Sequence, residues 1–271
     1  MIDTPSPTRR DGPLAIVSAM HEELRALLPA LRQPAVRSVA GRRFHLGSLD
    51  GHPVVLVLSG IGKVAAATTA SLLFNEFDAH ALVLTGVAGG IGAGVQVGDV
   101  VIGRQLLQHD MDASPLFPRF EVPLTGRSRF DANAGLSDSL AAAGRRCVAR
   151  AGEVIGHAHL ADFGIATPKV HEGLVVSGDR FVSTAAESRA LTAAIADALA
   201  VEMEGAAMAQ VCADFARPFA VLRTVSDRAD DAAHADFSRF IEEVASVYTH
   251  AVMHDWLREL PAASRSSSHP G

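Results

Sequence analysis

Apolar runs of strand length alternate with longer amphipathic stretches along almost the whole chain. "LAIVSA", beginning at Leu14, ends at small residues, and the "MHEELRALLPAL" that follows has helical spacing. "RRFHLGSLDGHPVVLVLSG" reads as two strands joined at Asp50-Gly51, a strong hairpin signal. "GKVAAATTASLLFNEF" predicts an Ala-rich helix with one apolar face, and "ALVLTGVAGG" a buried strand running into a glycine turn. "VGDVVIGRQLLQHD" suggests further strands before a loop rich in Pro, Phe and Arg that runs to about Phe130.

The second half repeats the alternation. "ANAGLSDSLAAAGRRCVARAG" predicts a helix, "HEGLVVSGD" a strand, "STAAESRALTAAIADA" a helix, "LAVEM" a short strand and "EGAAMAQVCADF" a helix. "FAVLRTVSD" is a last strand, and "DFSRFIEEVASVYTHAVMHDWL" a long final helix. Such alternation implies an α/β fold, a single domain over residues 14–260 with a mixed, mostly parallel central sheet flanked by helices on both faces. Residues 1–13 and 261–271 are rich in Pro, Ser and Gly and read as disordered tails.

Composition narrows the class. A hydrophobic fraction of 48% in 271 residues is ample for a large core. A formal charge of −6, with the 24 Lys and Arg scattered, argues against a nucleic-acid partner. No apolar run approaches the roughly 20 residues of a membrane helix, and the first dozen residues lack the apolar core of a signal peptide. A cytoplasmic protein is expected, with Cys147 and Cys212 as buried thiols in helical patterns rather than a disulfide framework.

Open α/β sheets bind ligands outside the carboxyl ends of their strands. That rule selects residues 18–23, 59–62, 85–90, 177–181, 202–204 and 223–227. They are rich in acids. Glu23 and Glu204 open helices, where a carboxylate also suits the helix dipole, and Ser226-Asp227 could cap a turn. Three acids converging at strand ends nevertheless point to catalysis or hydroxyl recognition. "TGVAGGIGAG" lacks the spacing of a dinucleotide loop, and no P-loop lysine follows it. Its Ala88 and Gly89 could still bring backbone N–H groups close to a ligand. No Cys/His cluster has zinc spacing, "HDMD" at His109 is too sparse for a metal site, and no G-x-S-x-G elbow occurs. General acid–base chemistry on a polar, uncharged ligand is the reading, with no metal or organic cofactor.

"SAMHEEL", "SGIGKVAAA", "TGVAGG", "VGDVV", "VSGDRFV", "VEMEGAAMAQVC" and "VLRTVSD" occur in the order found in bacterial 5′-methylthioadenosine/S-adenosylhomocysteine nucleosidases. The chain resembles that family, part of the purine nucleoside phosphorylase-like superfamily, from about Leu14 to Leu257. The resemblance implies hydrolysis of an adenine N-glycosidic bond. Asp227 would be the general acid at purine N7, positioned by Ser226, and Glu23 would activate water with Arg223 nearby. Glu204 would accept hydrogen bonds from the ribose hydroxyls while Met203 packs on the sugar, Glu202 being a support. Phe181 would stack on adenine and the Val182 backbone would read its edge. Met20, Ile61 and Phe237 would line the pocket for the ribose and the 5′ substituent. A homodimer is implied, with Leu116 or Phe117 of one subunit closing the other's pocket. Val87 stands where the family commonly has a hydroxyl residue that helps hold the water. The segment from Cys147 to His171 is longer than in compact members. Rival readings are a phosphate-dependent nucleoside phosphorylase, a hydrolase of futalosine-type nucleosides or AMP, and a nucleoside binder without turnover.

Overall fold

In the computed structural model, which describes residues 12–229 and 237–261, the first apolar run forms β1 (Leu14–Ser18), buried throughout. The stretch after it forms only α1 (His21–Arg25) and a 3-10 turn at Leu28–Ala30, shorter than the single helix its spacing predicts. Pro29 explains the break, because it lacks an N–H and clashes with the preceding turn. Three antiparallel strands follow: β2 (Arg32–Val39), β3 (Arg42–Leu49) and β4 (His52–Leu58). The β3–β4 hairpin turns at Asp50 and Gly51, both at positive φ (46° and 88°), as a type I′ turn demands. The pattern gave no sign of β2: it is an exposed edge strand, paired through its backbone, without an apolar face to impose alternation.

The remaining elements are α2 (Lys63–Phe77), β5 (Ala81–Leu84), β6 (Val87–Gly90), β7 (Val100–Gln108), β8 (Arg129–Asp131), α3 (Ala134–Ala149), α4 (His157–Asp162), β9 (Val170–Ser177), α5 (Ala185–Ala194), β10 (Ala198–Glu202), α6 (Gly205–Asp214), β11 (Phe219–Asp227), α7 (Phe237–Phe240) and α8 (Ser246–Glu259). The glycine turn expected at "GVAGG" is instead the strand β6, paired parallel to β11 and antiparallel to β10. Small residues allow it, since neighbouring backbones approach with little side chain between them. "VGDVVIGRQLLQHD" yields one nine-residue strand, β7. The final helix is interrupted by a π turn at Ile241–Ala245. The long Cys147–His171 segment holds another π turn (Gly152–Gly156) and α4, and buries Ile155, Leu160 and Ile165 in the core beside α8.

The sheet order is β2-β3-β4-β1-β5-β11-β6-β10-β9-β7-β8, and β7 also pairs with β11, so five strands close into a ring. The expected three-layer arrangement is present. The core on one face joins α1, α3 and α8; on the other it joins α2 and α6, the Ala-rich helices. Trp256 is buried in the first, its Nε1 donating to Ser139 Oγ at 2.8 Å. Cys147 and Cys212 are free and buried, and burial pushes the Cys147 thiol up to about 12. The tails lie outside the described residues apart from residues 12–13 and 261. Among the described residues, no helix is long and apolar enough to cross a membrane.

The pairings give the sheet two senses. β1, β4, β5, β6 and β11 run parallel, whereas β10 runs antiparallel to β6 and carries β9 with it. Glu202 and Glu204, at the carboxyl end of β10, nevertheless reach Arg223 on β11 and the Gly62 N–H beyond β4, and this crevice is where the acids gather.

Candidate active site

Residues from all six strand-end segments line one cavity of about 180 Å³. Every residue assigned there from the sequence lies on its wall: Met20, Glu23, Ile61, Ala88, Gly89, Phe181, Val182, Met203, Glu204, Arg223, Ser226, Asp227 and Phe237. The wall also includes Ala19, Val87, Arg180, Val201 and Glu202. Arg180, within "VSGDRF", was legible as a motif position, but no local pattern says that it borders the cavity. A larger, more open cavity of about 690 Å³ lies at the other end of the strands, beside Phe219 and the end of α6, and contains none of these residues.

Glu23 enters from the start of α1 and is 2% exposed. Its Oε2 accepts from the N–H groups of Ala19 (2.9 Å) and Met20 (3.0 Å), so the helix-stabilising role open to it from sequence is present. Its Oε1 accepts from Val87 N at 3.1 Å, which ties α1 to β6. Burial raises its pKa; the Arg223 charge and these N–H donors oppose the rise without cancelling it.

Arg223 lies on β11 at 1% exposure and serves several carboxylates at once. Its Nη2 pairs closely with Glu202 and stands 3.5 Å from Glu204 Oε2, while Nη1 donates to Thr85 O at 3.1 Å. Gly86 makes room for this. Its φ of 148° leaves the region open to other residues, and a Cβ there would fall 2.3 Å from Arg223 Nη1. Glu202 also accepts from Ser177 Oγ and from the N–H of Gly205 (3.0 and 2.9 Å to its two oxygens), which fits a supporting part although the residue borders the cavity.

Glu204 is the N-cap of α6, but its side chain does not cap that helix. It reaches back to accept the Gly62 N–H at 3.0 Å. Burial, then the charge of Glu202, raises its pKa to about 7. Asp227 accepts from Ser226 Oγ (2.7 Å) and Ala229 N (2.8 Å), so a turn-closing role exists alongside any catalytic one. Phe181, 40% exposed, meets Phe237 edge to face with ring centres 6.1 Å apart. The wall also carries the apolar side chains of Met20, Ile61 and Met203. Ile61 remains 60% exposed, and Leu116, 84% exposed, is absent from this chain's own cavity. Among the described residues no group of three or more His, Cys, Asp or Glu is placed to hold a metal ion.

The arrangement has counterparts. The model of the phosphorylase superfamily matches residues 13–254. The 5′-methylthioadenosine/S-adenosylhomocysteine nucleosidase of Shewanella pealeana is 33% identical over 229 residues, 84% of this chain and 91% of that protein. The nucleosidase of that name from Neisseria meningitidis, solved with methylthio-immucillin-A, is 32% identical with a TM-score of 0.80, covering 92% of this chain and 100% of that one. The futalosine hydrolase of Helicobacter pylori is also similar, 27% identical with a TM-score of 0.77 over 92% of this chain and 99% of that one. The chain belongs to the phosphorylase superfamily and, within it, to the 5′-methylthioadenosine/S-adenosylhomocysteine nucleosidases.

Proposed function

We propose that this chain hydrolyses the N-glycosidic bond of 5′-methylthioadenosine and S-adenosylhomocysteine, releasing adenine and the 5-thioribose product. The observation that carries hydrolysis over phosphorolysis is the charge around Glu23. Three buried carboxyl groups, Glu23, Glu202 and Glu204, surround one guanidinium, and Arg223 is already committed to Glu202 and the Thr85 carbonyl. An anionic phosphate nucleophile would enter beside these carboxyl groups with Arg223 already committed and Arg180, the other cation described on the wall, paired with Glu187; neutral water carries no such penalty.

Water attacks C1′ while Glu23 takes its proton. The C1′–N9 bond breaks with its electron pair moving into the purine, and Asp227 supplies a proton at N7. Ser226 and the Ala229 N–H hold the Asp227 carboxyl in place. Phe181 offers a face to the adenine and the Val182 backbone reads its edge. Glu204 accepts from the ribose hydroxyls, and Met203, Met20, Ile61 and Phe237 receive the sugar and the apolar thioether. Val87 leaves the water to Glu23 and Arg223. Ile61 stands open to solvent and Leu116 is exposed and does not line its own cavity, which supports a homodimer in which Leu116 or Phe117 of one subunit closes the other's 5′ pocket.

The test is adenine release from methylthioadenosine in phosphate-free buffer, with the sugar identified. Free methylthioribose at a phosphate-independent rate supports hydrolysis; a sugar 1-phosphate formed only with phosphate moves the chain to the phosphorylases. The similarity to a futalosine hydrolase makes futalosine the necessary second substrate in that assay.

A further inference from the structure

Beside the cavity, three motif loops are tied together by groups that take no part in the chemistry above. Lys63 opens α2, and its Nζ donates to Asp110 Oδ1 at 2.7 Å and Gln108 Oε1 at 3.1 Å, at the end of β7. Its backbone N–H donates to Asp179 Oδ1 at 2.6 Å, in the loop after β9. The two aspartates are linked in turn, since Asp179 N donates to Asp110 Oδ2 at 2.9 Å. Lys63 and Asp110 are only 17% and 30% exposed, so the pair is partly shielded from water, unlike a surface ion pair. Burial alone would raise the Asp110 carboxyl, but Lys63 and the Asp179 N–H hold it below the ordinary aspartate range, so the anchor stays ionised at neutral pH.

The closed triangle matters because of the preceding peptide. Gly62, at φ 95°, donates its N–H to Glu204 Oε1. A Cβ there would fall 3.0 Å from Asp179 Oδ1, so the aspartate packs directly against this glycine. Gly62 and Lys63 are consecutive, and once the Lys63 N–H and side chain are fixed, little freedom remains for the Gly62 N–H. One oxygen of Glu204 is then occupied and the orientation of the other is set.

We propose that Lys63, Asp110 and Asp179 are positioning residues for sugar recognition, locking the Gly62 N–H onto Glu204 Oε1 so that Oε2, held only loosely by Arg223 Nη2 at 3.5 Å, is presented to the ribose hydroxyls. This rests on the assignment of Glu204 to those hydroxyls. Loosening the clamp therefore weakens binding of nucleosides with an intact diol and leaves the affinity for free adenine alone, which a general loss of structure would not do.

The experiment compares Lys63→Met, Lys63→Arg, Asp110→Asn and Asp179→Ala in the full chain, alone and with Glu204→Gln. Steady-state kinetics on methylthioadenosine and inhibition by adenine are read together. Lys63→Met and Asp179→Ala should raise KM about tenfold, the scale of one well-made hydrogen bond, with kcat within about threefold and adenine inhibition unchanged. Lys63→Arg should restore most of the loss. On a Glu204→Gln background the clamp substitutions should add little further, because they act through that residue. If Lys63→Met proves unstable, Asp110→Asn and Asp179→Ala carry the test. Unchanged KM in the folded variants, additive losses with Glu204→Gln, or parallel losses for adenine would overturn the clamp. Should Glu204→Gln itself weaken nucleoside and adenine equally, the diol assignment falls and the clamp with it. Should Glu204→Gln discriminate while Lys63→Met does not, the clamp alone is refuted.

Discussion

Glu23 and Arg223 face each other across Gly86: a β-carbon on that glycine would lie 2.7 Å from Oε1 of the glutamate and 2.3 Å from Nη1 of the arginine. Both side chains come from distant elements, α1 and β11, and the missing β-carbon lets them share the start of β6. Gly86→Ala must displace one of them. Misplacing a catalytic group by about 1 Å can cost on the order of 10²-fold in rate, and a loss of that size is the expected outcome. It should appear mostly in kcat, with adenine inhibition retained. Near-normal turnover in Gly86→Ala would show that this approach is irrelevant to the chemistry.

Asp227 is assigned the proton at purine N7, and its two oxygens are already oriented by Ser226 and the Ala229 N–H. Asp227→Asn keeps the shape and removes the acid. Adenine release should fall by about 10²–10⁴-fold, the usual contribution of a positioned acid. Calorimetry with methylthioadenosine should still report binding. Loss of binding and turnover together would instead favour a structural part for the Asp227–Ala229 turn.

Arg223 is the cation among Glu23, Glu202 and Glu204, and all four residues are nearly free of solvent. Removing one partner of a buried charge cluster leaves the others uncompensated, at a cost of about 3–5 kcal/mol. Arg223→Met should lower the denaturation midpoint accordingly. Adding Glu202→Gln should recover part of the loss, because the double variant no longer buries the carboxylate most closely paired with the arginine. Chemical denaturation of the natural protein, the two single variants and the double variant decides between this and simple additivity.

The two raised carboxyl groups predict different pH effects. Glu23 must be ionised to accept a proton from water, and burial shifts its titration upward. The acidic limb of the rate profile should therefore fall above the ordinary glutamate range. Glu204 acts on stability. With a folded-state value of about 7 against an ordinary 4.5, it is protonated in both states below about pH 4.5. As pH rises from there to about 7 the unfolded chain ionises first, so the folded state loses relative stability, and above that the loss is complete. Glu204→Gln should consequently be more stable than the natural protein at about pH 8, by on the order of 1–3 kcal/mol, with the difference vanishing towards pH 4.5. A constant difference across that window would contradict the shift.

Much of the architecture lay in local pattern. The alternation of runs such as "LAIVSA" and "FAVLRTVSD" with Ala-rich amphipathic stretches is enough to specify a covered, mostly parallel sheet. A strand buried on both faces must be apolar throughout, and a covering helix needs one apolar face. Asp50-Gly51 specified its hairpin because few other pairs accept positive φ twice in succession. The residues around the cavity could be named because parallel strands deliver their carboxyl ends to one region, and polar groups at those ends stand out against apolar strands. Tertiary structure alone decided the rest. β2 has no buried face, so nothing in its sequence records a strand whose partners are backbone groups of β3. β6 looked like a glycine turn because its place between β10 and β11 depends on strands more than a hundred residues away. The choice of Glu202 by Arg223, of Gly62 by Glu204 and of Asp110 by Lys63 likewise follows from the meeting of strand ends in the folded sheet. Those pairings join residues far apart in the chain, and periodicity, which reads only the near neighbours of each residue, carries no trace of them.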